Sequence, residues 1–84
     1  MRNIGICGAG LIGASWAVGF ANHGYNVLVY DSNPKIVSNF FKVVDQLADD
    51  LEIFQKVDLK ELKSNIKLCN NIEEVCKESV LIQE

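Results

Sequence analysis

Residues 3–31 constrain the fold more than any other stretch, because a glycine pattern lies there between two apolar runs. Ile4–Cys7 is an apolar run with the length of a buried strand. The next six residues, Gly8–Gly13, match the pattern G-x-G-x-x-G, and an apolar helical stretch follows them. A second apolar run, Val27–Tyr30, is followed by Asp31, which lies 18 residues after the last glycine of the pattern. This order predicts a strand, a tight turn, a helix, a second strand and a terminal acid.

Phosphate binding explains physically why each position of the glycine pattern has its residue type. Gly8 can take a positive φ and so permits the tight turn out of the strand. Gly10 lets the backbone approach a pyrophosphate, and Gly13 lets the helix pack closely on the strand. The free backbone N–H groups of Leu11 and Ile12, at the positive end of the helix dipole, then face the phosphates.

The acid at the end of the second strand completes a dinucleotide fingerprint, which expects an acid about 20 residues on. Asp31 is predicted to accept hydrogen bonds from the adenosine ribose hydroxyls and to repel a 2′-phosphate, which favours NAD over NADP. An FAD site usually has Glu at this position, so Asp31 disfavours it. A glycine-rich turn in some other βαβ unit is the remaining alternative. The predicted cofactor-binding residues are Gly8, Ala9, Gly10, Leu11, Ile12, Gly13 and Asp31.

The composition is that of one small folded domain. The chain has 84 residues, of which 49% are hydrophobic and 23% charged. Its net charge is −3, and the acidic and basic residues are interspersed. No basic face therefore indicates a nucleic acid or an anionic membrane as partner. No apolar run is long enough for a membrane span, and the first strand leaves no room for a signal peptide, so we expect a cytoplasmic protein.

The cysteine and histidine positions predict neither a metal site nor a catalytic centre. Cys7, Cys69 and Cys76 are odd in number and lack C-x-x-C spacing, which favours buried reduced thiols over a disulfide or a zinc site. His23 is the only histidine. It falls in the last turn of the first helix, about 20 Å from the glycine turn, and we expect it to be solvated.

Periodicity and capping signals predict the remaining elements. The first helix, residues 11–23, is apolar on nearly every side, which is typical of a helix covered by the sheet on one side and by other protein on the other. Asn33 and Pro34 start a long amphipathic helix that extends to about Phe54, and Asp58–Glu61 resembles a capping box. The other predicted elements are a strand at Ile66–Cys69, a helix at Ile72–Lys77 and a strand at Val80–Ile82.

The order of these elements predicts an α/β fold. Right-handed crossovers place the four parallel strands in the order 3-2-1-4, the first half of a Rossmann-type doubly wound sheet. A dinucleotide lies across the switch between strands 1 and 4 in such a sheet. The 84 residues are therefore interpreted as the N-terminal part of a dinucleotide-binding domain.

Several stretches resemble the NAD-binding domain of the 3-hydroxyacyl-CoA dehydrogenase family. They are Gly8–Ala17, followed by Phe20, Ala21 and Gly24, and the ending Glu78–Glu84. The segments Ser15–Ala17 and Gln83–Glu84 look more like the branch that acts on free 3-hydroxy acids, which contains L-carnitine dehydrogenase and lambda-crystallin. Ser79 and Val80 depart from the family's usual Ala and Asp.

The resemblance implies an NAD-dependent enzyme of fatty acid metabolism that oxidises a small-molecule 3-hydroxy acid or 3-hydroxyacyl-CoA to the 3-keto product. The family's catalytic His–Glu pair and its C-terminal helical domain, which makes a homodimer, correspond to sequence beyond residue 84. No catalytic residue is therefore assigned, and we expect these 84 residues alone to be inactive. The alternative is a stand-alone NAD-binding module that serves regulation or interaction without catalysis.

Overall fold

The fold alternates strands and helices along the chain. The structure is a computed structural model that describes residues 3–78 and 80–83, with side chains described for residues 3–77. In chain order the elements are β1 (Asn3–Cys7), α1 (Leu11–Asn22), β2 (Asn26–Tyr30), α2 (Pro34–Glu52), α3 (Leu59–Ser64), β3 (Ile66–Leu68), α4 (Ile72–Glu78) and β4 (Val80–Gln83).

The four strands form one parallel sheet in the order β3-β2-β1-β4, which confirms the predicted fold class and strand order. Ile4 of β1 lies opposite Val27 of β2 on one side and Val80 of β4 on the other. The chain moves from β1 to β3 in one direction and then crosses back to β4. Right-handed crossovers therefore place α1 and α2 on one face of the sheet and α4 on the other.

The core lies between the sheet and the helices α1 and α2. Ile6, Val27 and Val29 point from the central strands into it and are fully buried. The facing side of α1 carries mostly small residues, so this helix packs closely on the strands. The buried residues of α1 are Gly13, Ala14, Ala17, Val18 and Ala21. The predicted close packing of the glycine helix is present.

Helix α2 begins where the sequence predicts and ends two residues earlier. The Asn33 side chain accepts a hydrogen bond from the Lys35 N–H at 2.9 Å, and Pro34 is the first helical residue. Phe40 and Val44 are fully buried in the core. The predicted amphipathic helix extends to about Phe54, but this residue follows the helix in a tight turn and is 85% exposed, so its inclusion in the helix was wrong.

Side-chain caps also start the two short helices. Asp58 accepts a hydrogen bond from the Glu61 N–H at 3.2 Å, and Asn71 accepts one from the Glu74 N–H at 2.9 Å. Both contacts satisfy backbone N–H groups in the first turn, which have no acceptor within the helix. The caps fix where α3 and α4 begin, as the sequence predicts.

The three cysteines are free, but they are less buried than the sequence predicts. Cys7 and Cys69 are partly buried, and Cys76 is exposed on α4. Cys69 follows β3 instead of lying inside it, and its N–H donates to the Val29 carbonyl at 2.8 Å. Burial, together with a hydrogen bond to Glu74, raises the pKa of the Cys69 thiol to about 11. This thiol is therefore protonated at neutral pH.

Two glycines on or near α1 offer a matched stability test. Gly24 ends the helix with φ +88°, a conformation that disfavours any side chain, whereas Gly19 lies within the helix and a Cβ there would meet nothing within 4 Å. We expect Gly24→Ala to lower the free energy of unfolding by about 1 kcal/mol. Gly19→Ala should raise it by about 0.5–1 kcal/mol. Urea unfolding checks both, and equal effects of the two substitutions would contradict this assignment.

Candidate nucleotide-binding site

The glycine turn and the acid meet at the carboxyl edge of the sheet. Gly8 has φ +117°, the conformation that the tight turn was predicted to need. Its N–H donates to the Tyr30 carbonyl at 2.8 Å and so extends the pairing of β1 with β2 by one residue. The turn after β1 and the segment after β2 therefore leave the sheet side by side. In open α/β sheets ligands bind at this edge.

Gly10 is the N-cap of α1, a position that glycine tolerates well, and its backbone angles do not require glycine. Its φ and ψ are −72° and −167°, an extended conformation that any residue adopts. A glycine at such a position fits a close approach by another group, which a side chain would block. The absence of a Cβ therefore supports a ligand lying directly on this turn.

The N-terminus of α1 presents backbone donors that no side chain caps. The Ala14 N–H is already bonded within the helix, to the Gly10 carbonyl at 2.8 Å. Leu11 and Ile12, the first two helical residues, are 66% and 60% exposed. A helix start without a side-chain cap offers its first N–H groups to an anion, which the helix dipole also favours.

The Asp31 carboxylate joins the two loops of the site. Its Oδ2 accepts a hydrogen bond from the Ala9 N–H at 2.8 Å, and its Oδ1 accepts one from the Asn33 N–H at 2.8 Å. Asn33 caps α2 through its own side chain. The acid is thereby held beside the glycine turn, where a ribose joined to the pyrophosphate would lie.

Sequence reasoning placed Ala9 among the cofactor-binding residues and gave Asn33 no part in the site. Ala9 is 2% exposed, and its N–H is bonded to Asp31, so any contribution of this amide to ligand binding is indirect. Asn33 was recognised only as a helix cap. The signal for its second role is the spacing Asp-x-Asn, in which an aspartate side chain accepts from the backbone N–H two residues on.

Two other features lie away from this edge. His23 is exposed at the far end of α1, with Nδ1 2.9 Å from the Gly19 carbonyl oxygen, as the sequence predicts. A cavity of about 660 Å³ lies along the outer side of the same helix. Trp16 stacks on Phe20 at 5.8 Å there, and Phe20 meets Tyr25 edge-on. This apolar surface carries none of the predicted cofactor residues except Ile12.

Neither a metal centre nor a membrane helix is found among the described residues. No group of three or more His, Cys, Asp and Glu side chains is arranged there to hold a metal ion. The helices of this part of the chain are also too short or too polar for a membrane span.

Comparison with known proteins identifies the family. The model of the 3-hydroxyacyl-CoA dehydrogenase NAD binding domain matches residues 3–84, nearly the whole chain. The chain belongs to this family. The predicted cofactor, NAD, is therefore the one that the family's domain binds.

Relatives of the predicted branch are similar to this chain. Lambda-crystallin of Oryctolagus cuniculus is 34% identical over 94% of the chain, which covers 26% of that protein. L-carnitine dehydrogenase of Oceanobacillus iheyensis is 28% identical over 100% of the chain, which covers 27% of that protein. These matches support the predicted branch. The chain thus spans about a quarter of the length of these relatives.

A solved structure shows the same fold. The crystal structure of (S)-3-hydroxybutyryl-CoA dehydrogenase from Ralstonia eutropha matches 100% of this chain and 31% of its own chain, with a TM-score of 0.84. Its sequence identity to this chain is 24%, so the likeness concerns the fold. This likeness agrees with the fold described above. The glycine turn and Asp31 lie at the carboxyl edge of the sheet in that fold.

Proposed function

We propose that this chain is the NAD-binding portion of an oxidoreductase that oxidises a 3-hydroxy acid or a 3-hydroxyacyl-CoA to the 3-keto product. The observation that carries the proposal is the position of the Asp31 carboxylate, hydrogen-bonded to the glycine turn at the carboxyl edge of the sheet. Family membership supplies the reaction class. When bound, NAD accepts the hydride from the carbon that bears the hydroxyl group.

The proposed binding residues lie on two loops, which contact different parts of the dinucleotide. The N–H groups of Leu11 and Ile12 contact the pyrophosphate, and Gly10 allows it to lie against the backbone. Gly8 and Gly13 shape the turn and the packing of α1. The Asp31 carboxylate accepts hydrogen bonds from the ribose hydroxyls and, by its charge, disfavours the 2′-phosphate of NADP. Ala9 serves the site by holding this carboxylate.

The substrate base is proposed to lie in sequence beyond these 84 residues. Hydroxyl oxidation needs a general base within hydrogen-bond reach of the substrate. His23 lies at the opposite end of α1 from the glycine turn, about 20 Å away. We also propose that residues 1–84 form the N-terminal part of the dinucleotide-binding domain and that a catalytic half and a C-terminal helical domain complete the protein.

The finer proposals concern the whole protein. We propose a cytoplasmic homodimer that acts on a small-molecule substrate in fatty acid metabolism, with no nucleic acid or membrane partner. The net charge of −3, with acidic and basic residues interspersed along these 84 residues, disfavours nucleic acid as a partner of this part of the protein. One relative is named L-carnitine dehydrogenase, after a free 3-hydroxy acid, and another is named a probable 3-hydroxyacyl-CoA dehydrogenase, so the proposal includes both kinds of substrate.

An activity assay tests the proposal. NADH formation is measured with these 84 residues alone and with a polypeptide that continues beyond Glu84, using free 3-hydroxy acids and 3-hydroxyacyl-CoA thioesters. We expect the longer protein to reduce NAD and the 84 residues alone to show no turnover, because the base is proposed to lie beyond them. Turnover by the 84-residue chain would contradict the placement of the base. Absence of activity in a folded, NAD-binding longer protein would contradict the reaction class.

A further inference from the structure

One side chain links the two loops that the proposed site uses for different parts of the ligand. Asp31 Oδ2 is bonded to the Ala9 N–H in the glycine turn, and Asp31 Oδ1 is bonded to the Asn33 N–H after β2, both at 2.8 Å. The first contact spans 22 residues of sequence. It is therefore a tertiary contact, and each carboxylate oxygen takes part in holding a loop.

Burial makes the contact with Ala9 hard to replace. Ala9 is 2% exposed, so water cannot easily substitute for the carboxylate as an acceptor for its N–H. A buried N–H that loses its acceptor retains its desolvation cost, and hydrogen bonds to charged groups are stronger than those between neutral groups. The conformation of the turn between Gly8 and Gly10 therefore depends on the ionised acid after β2.

We propose that Asp31 is a positioning residue for the glycine turn, in addition to its contact with ribose. The carboxylate holds Ala9 so that Gly10 and the start of α1 are set for the pyrophosphate before the ligand arrives. The two subsites are thus coupled through one side chain, and a change at the ribose acid weakens phosphate binding as well. This inference relies on the proposed function for the identity of the ligand.

A ligand without ribose hydroxyls separates the two roles of Asp31. The probe is 2′,3′-dideoxyadenosine diphosphate, which retains the pyrophosphate but offers the carboxylate no hydroxyl group. If Asp31 only contacted ribose, Asp31→Asn would leave this affinity unchanged or strengthen it, because a negative charge near an anion is removed. If Asp31 positions the turn, the same variant weakens binding. The two accounts therefore predict effects of opposite sign.

The experiment measures the affinity of the 84-residue chain for the probe by calorimetry and the hydrogen exchange of the Ala9 amide by NMR. In Asp31→Asn a neutral amide leaves one acceptor oxygen for the N–H groups of Ala9 and Asn33, so we expect about tenfold weaker probe binding and faster exchange at Ala9. Asp49→Asn is the matched control. It removes the same charge from an exposed position on α2, about 22 Å along the helix from its start, and should change neither readout.

Each outcome decides the inference. Unchanged or tighter probe binding by Asp31→Asn, or Ala9 exchange at the wild-type rate, overturns it even if NADH binds the wild-type chain well. If the wild-type chain binds neither NADH nor the probe, the proposed function fails, and the Ala9 exchange rate alone then decides the positioning role. Should Asp31→Asn lose the protection of its core amides, Asp31→Ser, which keeps a short acceptor, takes its place in both measurements.

Discussion

Gly10→Val should weaken NADH binding at least about a hundredfold, which corresponds to about 2.7 kcal/mol. The valine side chain would occupy the space through which the pyrophosphate approaches the backbone. The backbone itself tolerates the change, because Gly10 has extended φ and ψ angles that suit a β-branched residue. We therefore expect the free energy of unfolding to change by less than about 1 kcal/mol, the scale of an N-cap substitution.

Two measurements on the same samples test this expectation. Titration calorimetry with NADH gives the affinity, and urea unfolding gives the stability. Gly19→Ala is the control, because this position lies on α1 away from the turn and a Cβ there meets nothing within 4 Å. NADH affinity of Gly10→Val within about threefold of wild type would show that no ligand approaches the turn at this point. A lost fold would show that glycine is needed there for the backbone.

Phe40→Ala should lower the free energy of unfolding by about 3–5 kcal/mol, the range for large-to-small changes in cores. Phe40 is fully buried, and its ring meets Phe41 edge-on with centroids 5.2 Å apart. It belongs to the same core as Val27 and Val29 of the central strand β2. A domain of this size has a total stability near the low end of about 5–15 kcal/mol. The substitution should therefore leave little folded protein at 37 °C.

Phe54→Ala provides the matched control for Phe40→Ala. The same atoms are removed, but Phe54 follows the end of α2 and is 85% exposed, so we expect a change within about 0.5 kcal/mol. Urea midpoints of the two variants give the comparison. Comparable destabilisation by both substitutions would contradict the exposed position of Phe54 and would favour the longer amphipathic helix that the sequence alone predicts.

Features that depend on neighbouring residues could be predicted from the sequence. Asn33, Asp58 and Asn71 each begin a helix by accepting a hydrogen bond from a nearby backbone N–H, so the caps are readable without knowledge of the fold. The strand order follows from the alternation of strands and helices and from the handedness of crossovers. The positive φ of Gly8 could also be predicted, because the tight turn after β1 requires it.

Features that depend on distant residues escaped prediction. The hydrogen bond from Ala9 to Asp31 joins residues 22 apart, and no pattern in either segment specifies it. Phe54 fits the helical period, but the last turn of α2 gives way to a tight turn that directs it outwards. The outer side of α1, with Ile12 60% and Trp16 48% exposed, fits the prediction of a helix covered by further protein, which stays a prediction.

The most direct test of the central claim is a side-by-side titration of the folded chain with NADH and NADPH, with Asp31→Ala as the comparison. The site predicts saturable NADH binding at least about tenfold tighter than NADPH binding, since one carboxylate accepts from the ribose hydroxyls and repels a 2′-phosphate. In Asp31→Ala this preference should disappear, and NADH affinity should fall. Equal affinity of the wild-type chain for both cofactors, or no binding of either by a chain shown to be folded, would contradict the assignment of the glycine turn and Asp31 as the NAD site.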